Sequence, residues 1–174
     1  MPNMTLLPNA DGTSSSDWIA VGETDRWDCL KDDNGDTSFV GCDDSLEEMI
    51  IEFANPHVAE ADIDTVNSVQ FLSSGRSTDR RNAAIVNIAF QVPSGFLEAC
   101  SYDAHAFSYE TINGTVRTTS DGGTTAWTYA DLENLEMKCI KFGTKNVQLS
   151  YLVLKVGYTE AVTADNATFF GANF

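Results

Sequence analysis

The side chains able to do chemistry are few, and their spacing does not join them. Two histidines are present, His57 just after Pro56 and His105 within an apolar stretch. Neither has a cysteine, serine or carboxylate at a distance that suggests a triad or a metal site, so both read as ordinary polar residues. Four cysteines, Cys29, Cys42, Cys100 and Cys139, form no CxxC pair, which argues against a zinc knuckle. Cys29 and Cys42 flank a turn and can face each other across a hairpin, where a bridge is open to them. Reduced, buried thiols are the default in the absence of a secretory signal. Asp32, Asn34 and Asp36 alternate as at the start of a calcium loop. The sixth position, however, is Thr37 rather than Gly and the twelfth is Asp43 rather than Glu, so a helix–loop–helix site fails and a plain turn is preferred to a casual cation site. A glycosidase needs two carboxylates about 5 to 9.5 Å apart in a cleft. Among 26 acidic residues no such pair stands out. No catalytic, cofactor-binding or metal-ligating residue is assigned, and the chain is not read as an enzyme.

Residues suited to contact are easier to name. Arg76, Arg80 and Arg81 cluster in SSGRSTDRRN, a polar loop by composition, and a cluster of guanidinium groups on an acidic protein suits the carboxylates of a neighbour. Phe169, Phe170 and Phe174 lie in the carboxy-terminal stretch EAVTADNATFFGANF, where exposed rings make good anchors for a partner's groove. Trp18, Trp27, Trp127 and five tyrosines are able to stack on sugars, although most fit core positions.

The elements that must position these residues are strands. Val147 to Tyr158 (VQLSYLVLKVGY) begins as an alternation, with Val147, Leu149, Tyr151 and Val153 on one face. From Leu152 onward the other face, Leu152, Leu154, Val156 and Tyr158, is apolar too. Two apolar faces imply cover on both sides, by a loop, an arm or a neighbouring subunit. Leu152, Leu154 and Val156 are therefore read as partner-binding, with a homotrimer as the expected assembly. Trp18 to Val21, Trp27 to Leu30, Ser38 to Cys42, Leu46 to Ala54, Ile63 to Leu72, Ala84 to Val92, Cys100 to Phe107, Ser108 to Thr119 and Met137 to Phe142 are further strand candidates. Asn34-Gly35 and Asn113-Gly114 are hairpin signals between them. Strands at this spacing predict an all-β fold, an antiparallel β-sandwich of jelly-roll type with about eight or nine strands. One short helical turn is expected after Thr128, with Asp131 as capping-box acid and Leu132 and Leu135 packing it down.

At 174 residues one domain is expected, over 17–159, between an amino-terminal arm (1–16) and a carboxy-terminal tail (160–174). The net charge of −16 repels phosphates and disfavours nucleic acid. No run reaches the roughly 20 apolar residues of a membrane span. The amino terminus, MPNMTLLPNADGTSSS, lacks a basic region before an apolar core and is not read as a secretory signal, so the triplets at Asn3, Asn113 and Asn166 are taken as chance matches to a glycosylation site.

One segment carries a signature. Residues 118–158, TTSDGGTTAWTYADLENLEMKCIKFGTKNVQLSYLVLKVGY, resemble a segment of phage and prophage structural proteins. There a Thr-rich stretch precedes Trp-Thr, an acid-hydrophobic-Asn-x-Leu turn and a final strand ending in Val-x-Tyr-Thr. The matching residues are Thr124, Trp127, Thr128, Asp131, Leu132, Leu135, Val153, Val156, Tyr158 and Thr159. The resemblance implies a jelly-roll virion protein without an active site or cofactor. It would be a capsid decoration or cement protein that binds the major capsid protein, or a tail-associated fibre, baseplate or adaptor part. A carbohydrate-binding jelly-roll module is the alternative from outside the virion.

Overall fold

The computed structural model describes residues 1–12, 17–33, 35, 37–78, 84–92, 95–104, 108–133, 135–143 and 145–162, with the backbone only at 84 and 98–104. Arg80, Arg81, His105, Phe169, Phe170, Phe174 and two members of the suspected cation loop, Asn34 and Asp36, lie outside the described residues.

Among the described residues two antiparallel sheets pack face to face in a jelly-roll-like sandwich. The six-stranded sheet holds β3 (Ile19–Val21), β4 (Phe39–Cys42), β11 (Val147–Glu160), β6 (Ile63–Ser77) and β9 (Glu110–Asn113) in that order, with β1 (Asn3–Leu6) also paired to β11. The five-stranded sheet runs β2 (Pro8–Asp11), β5 (Glu48–Phe53), β10 (Glu136–Phe142), β7 (Ala84–Val92), β8 (Gly95–Ala104). Two short helices complete it, α1 (Arg26–Leu30) and α2 (Tyr129–Glu133).

Alternation accounts for the second sheet directly. Met49, Ile51 and Phe53 of β5, Val86, Ile88 and Phe90 of β7, and Met137 and Cys139 of β10 all point into the core. Trp127 plugs one end, edge-on to Phe90 at 5.9 Å between ring centroids, and its Nε1 donates to Arg117 O at 3.0 Å. Leu132 and Leu135 are buried beside it. Thr128 N and Oγ1 both donate to Asp131 Oδ2 at 2.8 Å, and Asp131 N donates back to Thr128 Oγ1 at 3.2 Å, the reciprocal cap of α2.

The central strand of the first sheet corrects the sequence reading. Its pairing with β6 slips between Leu149 and Tyr151, so Ser150 is an extra residue in the ladder. One inserted residue moves every later side chain to the opposite face. Val147 and Leu149 before the bulge, and Leu152, Leu154 and Val156 after it, therefore all face one core and are fully buried there. Most of what reads as two apolar faces is one face with a phase change, and Val153, on the opposite face, is buried as well. The amino-terminal residues, expected as a separate arm, form the adjoining strand: Met4 lies opposite Val156, and Leu6 opposite Leu154. Leu152, Leu154 and Val156 thus offer nothing to a partner.

Three further expectations change. Trp27 to Leu30 is helical, because Asp11 on β2 caps it from a distance: its carboxylate accepts from Trp27 N at 2.8 Å and from Arg26 N at 3.2 Å. Asp25, the residue at the cap position, makes no side-chain cap bond. The polar stretch Ser73–Ser77 continues β6 instead of forming a loop. Its inward hydroxyls are satisfied by the neighbouring backbone, Ser73 Oγ on Tyr151 O at 2.7 Å and Ser77 Oγ on Asn146 O at 3.3 Å. Asn113-Gly114 is not a hairpin turn. Gly114 N donates to Phe71 O at 3.0 Å, and a Cβ on Gly114 would stand 2.0 Å from Phe71 Cε1, so the glycine lets the chain pass over a buried ring. Cys29, Cys42 and Cys139 are free and buried, so the bridge left open between Cys29 and Cys42 is not formed.

Candidate functional site

Strand β11 has β4 and β1 on one side and β6 on the other. On the outer face of its first half sits Gln148, between Gly41 of β4 and Arg76 of β6. Arg76 Nε donates to Gln148 Oε1 at 2.7 Å, and the guanidinium lies 4.5 Å from the ring centroid of Tyr109, just before β9. Tyr109 OH reaches the same Oε1 at 3.5 Å. The oxygen of the Gln148 carboxamide is thereby turned toward β6. The same planar amide carries two N–H donors on Nε2. The segment between α1 and β4 crosses this face: Ser150 Oγ donates to Asp33 Oδ1 at 3.2 Å, and Gly35 lies over the Tyr109 ring.

On the β4 side of Gln148 the surface dips. A hollow of about 190 Å³ is lined by Ile19, Val21, Gly41, Cys42, Asp43, Asn146, Val147 and Gln148. Ile19 and Val21 are 59% and 41% exposed, a solvated aliphatic pair on the short strand β3. Gly41 forms the floor opposite Ile19. A Cβ there would meet Phe39 Cε2 at 3.5 Å, ordinary van der Waals contact, so the space above Gly41 is open because of residue choice and not because a side chain could not fit. The hollow combines an apolar side, carboxamide groups at Asn146 and Gln148, and a carboxylate at Asp43. Such a set suits a small ligand with one hydrophobic face and a rim of hydroxyls. At this volume it falls below the roughly 300 Å³ at which drug-sized pockets begin, enough for about one ring.

The wall beyond Gly41 is fixed by an unusual group. Lys141 points inward from β10 and is fully buried. Its Nζ donates to Asp43 O at 2.9 Å, Asp44 O at 2.7 Å and Gly143 O at 2.9 Å. Burial lowers its pKa, against the charges of Cys42, Asp43 and Asp44, which raise it. Cys42 Sγ donates to Asp44 O at 3.4 Å, and burial pushes its thiol up to about 11. That thiol is not an activated nucleophile. Among the described residues no group of three or more His, Cys, Asp or Glu side chains could hold a metal ion.

Of the residues read from sequence as partner-binding, the structure brings Arg76 to this site, where its Nε donates to Gln148 Oε1. Cys42, Asp43 and Val147, named from sequence for other reasons, line the hollow. Trp18, Trp127, Leu132 and Leu135 belong to the core. Trp27 is partly buried beside it, with Lys31 Nζ 5.5 Å from its ring centroid. Sequence reasoning passed over Gly41, Gln148 and the Ile19–Val21 pair. The one local signal was a glycine inside a strand, which marks a bulge or a close approach.

No family model matches the chain, and no curated protein does. Solved structures do. The C-terminal CBM6 of LamC, a marine laminarinase from Zobellia galactanivorans, aligns over 90% of this chain and 100% of its own with a TM-score of 0.52 and 7% identity. The CBM22-1 xylan-binding domain of Paenibacillus barcinonensis Xyn10C aligns over 88% and 92% with a TM-score of 0.48 and 5% identity. The enzymatically active domain of bacteriophage CBA120 tailspike protein 4 aligns over 91% of this chain but 19% of its own, with a TM-score of 0.44 and 8% identity. At such identities what the first of these shares with the chain is its fold: one antiparallel β-sandwich of jelly-roll type.

Proposed function

We propose that this chain is a non-catalytic carbohydrate-binding domain that seats one uncharged sugar ring in the hollow beside Gly41. The observation that carries the reading is the hollow itself, with a solvated aliphatic side facing a carboxamide whose orientation Arg76 fixes. A pyranose has the same two-sided chemistry. Its C–H face would lie along Ile19 and Val21. Its hydroxyls would take bonds from Gln148 Nε2 and Asn146 and give one to Asp43. The fold shared with a CBM6 domain is consistent with this and adds no residue to it. An uncharged ligand is favoured because a net charge of −16 repels polyanions.

A single ring has about a dozen heavy atoms. At about 0.3 kcal/mol per atom its Kd falls near the millimolar range. The test is an NMR titration with neutral oligosaccharides of gluco-, manno-, xylo- and galacto-configuration. The reading expects saturable shifts at the amides of Gly41, Asn146 and Gln148 with at least one of them. An absence of shifts there with every neutral glycan, up to tens of millimolar, would overturn it.

The competing virion reading rests on the resemblance of residues 118–158 and on the aromatic tail; of the residues read with it as partner-binding, Leu152, Leu154 and Val156 are buried by the chain itself. No observation among the described residues favours a capsid or tail partner over a glycan.

A further inference from the structure

Lys141 stands apart from the sugar chemistry just described and explains the shape of the hollow's wall. A buried primary ammonium needs three acceptors, and here all three are backbone carbonyls: two from the connection between β4 and β5, and one from the turn after β10. The same connection is tied to β10 by Leu46 N on Lys141 O at 2.7 Å and by Lys141 N on Glu47 O at 3.1 Å. It is further tied by Gly143 N on Ser45 Oγ at 3.1 Å. Leu46 sits at a φ of 68°, a left-handed conformation that a branched side chain resists. A segment with a strained residue would relax if it were free to do so. The segment also carries Asp43, which lines the hollow, and Asp44, whose carbonyl covers the Cys42 thiol.

We infer that Lys141 acts as a tethered cation: its ammonium draws the carbonyls of Asp43 and Asp44 together, sets the Asp43 wall of the hollow and closes residues 43–47 over Cys42. It is a positioning residue and touches no ligand. The part concerning the wall rests on the glycan reading, whereas the part concerning Cys42 stands without it. Because the cation is held by carbonyl dipoles and not by a carboxylate partner, its charge and size matter more than its stem. Removing the stem leaves a cage that a small free ammonium ion can occupy.

The experiment compares alkylation of individual cysteines by iodoacetamide, read by peptide mass spectrometry, in the wild type, Lys141→Met and Lys141→Ala. Cys29 on α1 and Cys139, two residues before Lys141 on β10, are buried and lie outside residues 43–47, so they report opening beyond that segment. The inference expects Lys141→Met to speed labelling of Cys42 by about tenfold or more relative to both, equivalent to about 1.4 kcal/mol of local opening. Methylammonium should slow Cys42 labelling again in Lys141→Ala. Sodium at equal ionic strength and tetramethylammonium, which is too large and lacks donors, should not. Equal acceleration at all three cysteines, no acceleration at Cys42, or failure of methylammonium to act would each overturn it. If neither variant folds, hydrogen exchange of the wild type decides. The Leu46 amide must then exchange as slowly as the core amides of β10, and rapid exchange there would show that the segment is not latched. In a wild type that binds a sugar, Lys141→Met should also weaken that binding. If the wild type binds none, the glycan reading fails while the cysteine result keeps its meaning.

Discussion

Removing the Asp11 carboxylate tests how this chain makes a helix where its local sequence favours a strand. Asp11 Oδ1 accepts from Trp27 N at 2.8 Å, while Oδ2 accepts from Arg26 N at 3.2 Å and from Arg26 Nε at 3.1 Å. Loss of an N-cap costs about 0.5–2 kcal/mol. The Arg26–Asp11 pair, with side chains 20% and 23% exposed, is only partly screened and adds about 0.5–1 kcal/mol. Asp11→Ala should therefore destabilise the fold by about 1–3 kcal/mol. Each kcal/mol lowers the midpoint temperature of a chain this long by about 2–4 °C. Urea unfolding followed by tryptophan fluorescence measures the change. Asp11→Asn keeps the acceptor for Trp27 N and loses the charge, so it should fall between wild type and alanine. Arg26→Ala should cost only the ion-pair part. The reasoning is refuted if Asp11→Ala changes stability by less than about 0.5 kcal/mol. It is refuted equally if Arg26→Ala costs as much as Asp11→Ala, since the carboxylate would then be an ion-pair partner and not a cap.

Two other perturbations have signs fixed by the structure. Gly114→Ala places a methyl group 2.0 Å from Phe71 Cε1, inside a ring that is fully buried, so it should destabilise by about 1–3 kcal/mol in the same urea assay. Glu136 and Glu52 stand directly opposite each other on the outer face of the second sheet, and burial followed by the Glu52 charge raises the Glu136 pKa. A carboxyl raised in the folded state binds its proton more tightly folded than unfolded. The pair therefore weakens the fold at neutral pH, and that penalty is relieved as pH falls through the raised value toward the ordinary glutamate range. Glu52→Gln should accordingly raise the midpoint temperature at pH 7 and gain less at pH 4. A loss of stability at pH 7 would contradict the assignment.

The fold was legible wherever periodicity ran unbroken. β5 and β7 keep their alternation, and Met49, Ile51, Phe53, Val86, Ile88 and Phe90 are buried as the pattern names them, whereas Lys141 on β10 is buried although charged. The α2 cap was legible because both partners, Thr128 and Asp131, lie within one turn. Long-range chemistry was not. Asp11 caps a helix fifteen residues away, so Trp27–Leu30 carries no local sign of being helical. The bulge at Ser150 shifted the phase of the alternation and suggested a partner surface at Leu152, Leu154 and Val156, which the chain itself buries. Ser73 and Ser77 read as loop residues because their acceptors, Tyr151 O on β11 and Asn146 O just before it, are distant in sequence. The candidate site was hidden for the same reason. Gly41, Gln148 and Ile19 come from three strands, and only the sheet's register brings them together.

Gly41→Val tests the hollow most directly. The nearest atom to a new Cβ is Phe39 Cε2 at 3.5 Å, ordinary contact, and the valine methyl groups beyond it should take up space in the hollow. A β-branched residue also suits a strand better than glycine, and stability should hold or rise by up to about 1 kcal/mol. The measurement is sugar affinity, by NMR titration, of wild type and Gly41→Val at equal foldedness. The account predicts saturable binding of a neutral oligosaccharide by the wild type and its loss in the valine variant. Undiminished binding by a folded Gly41→Val protein would contradict it.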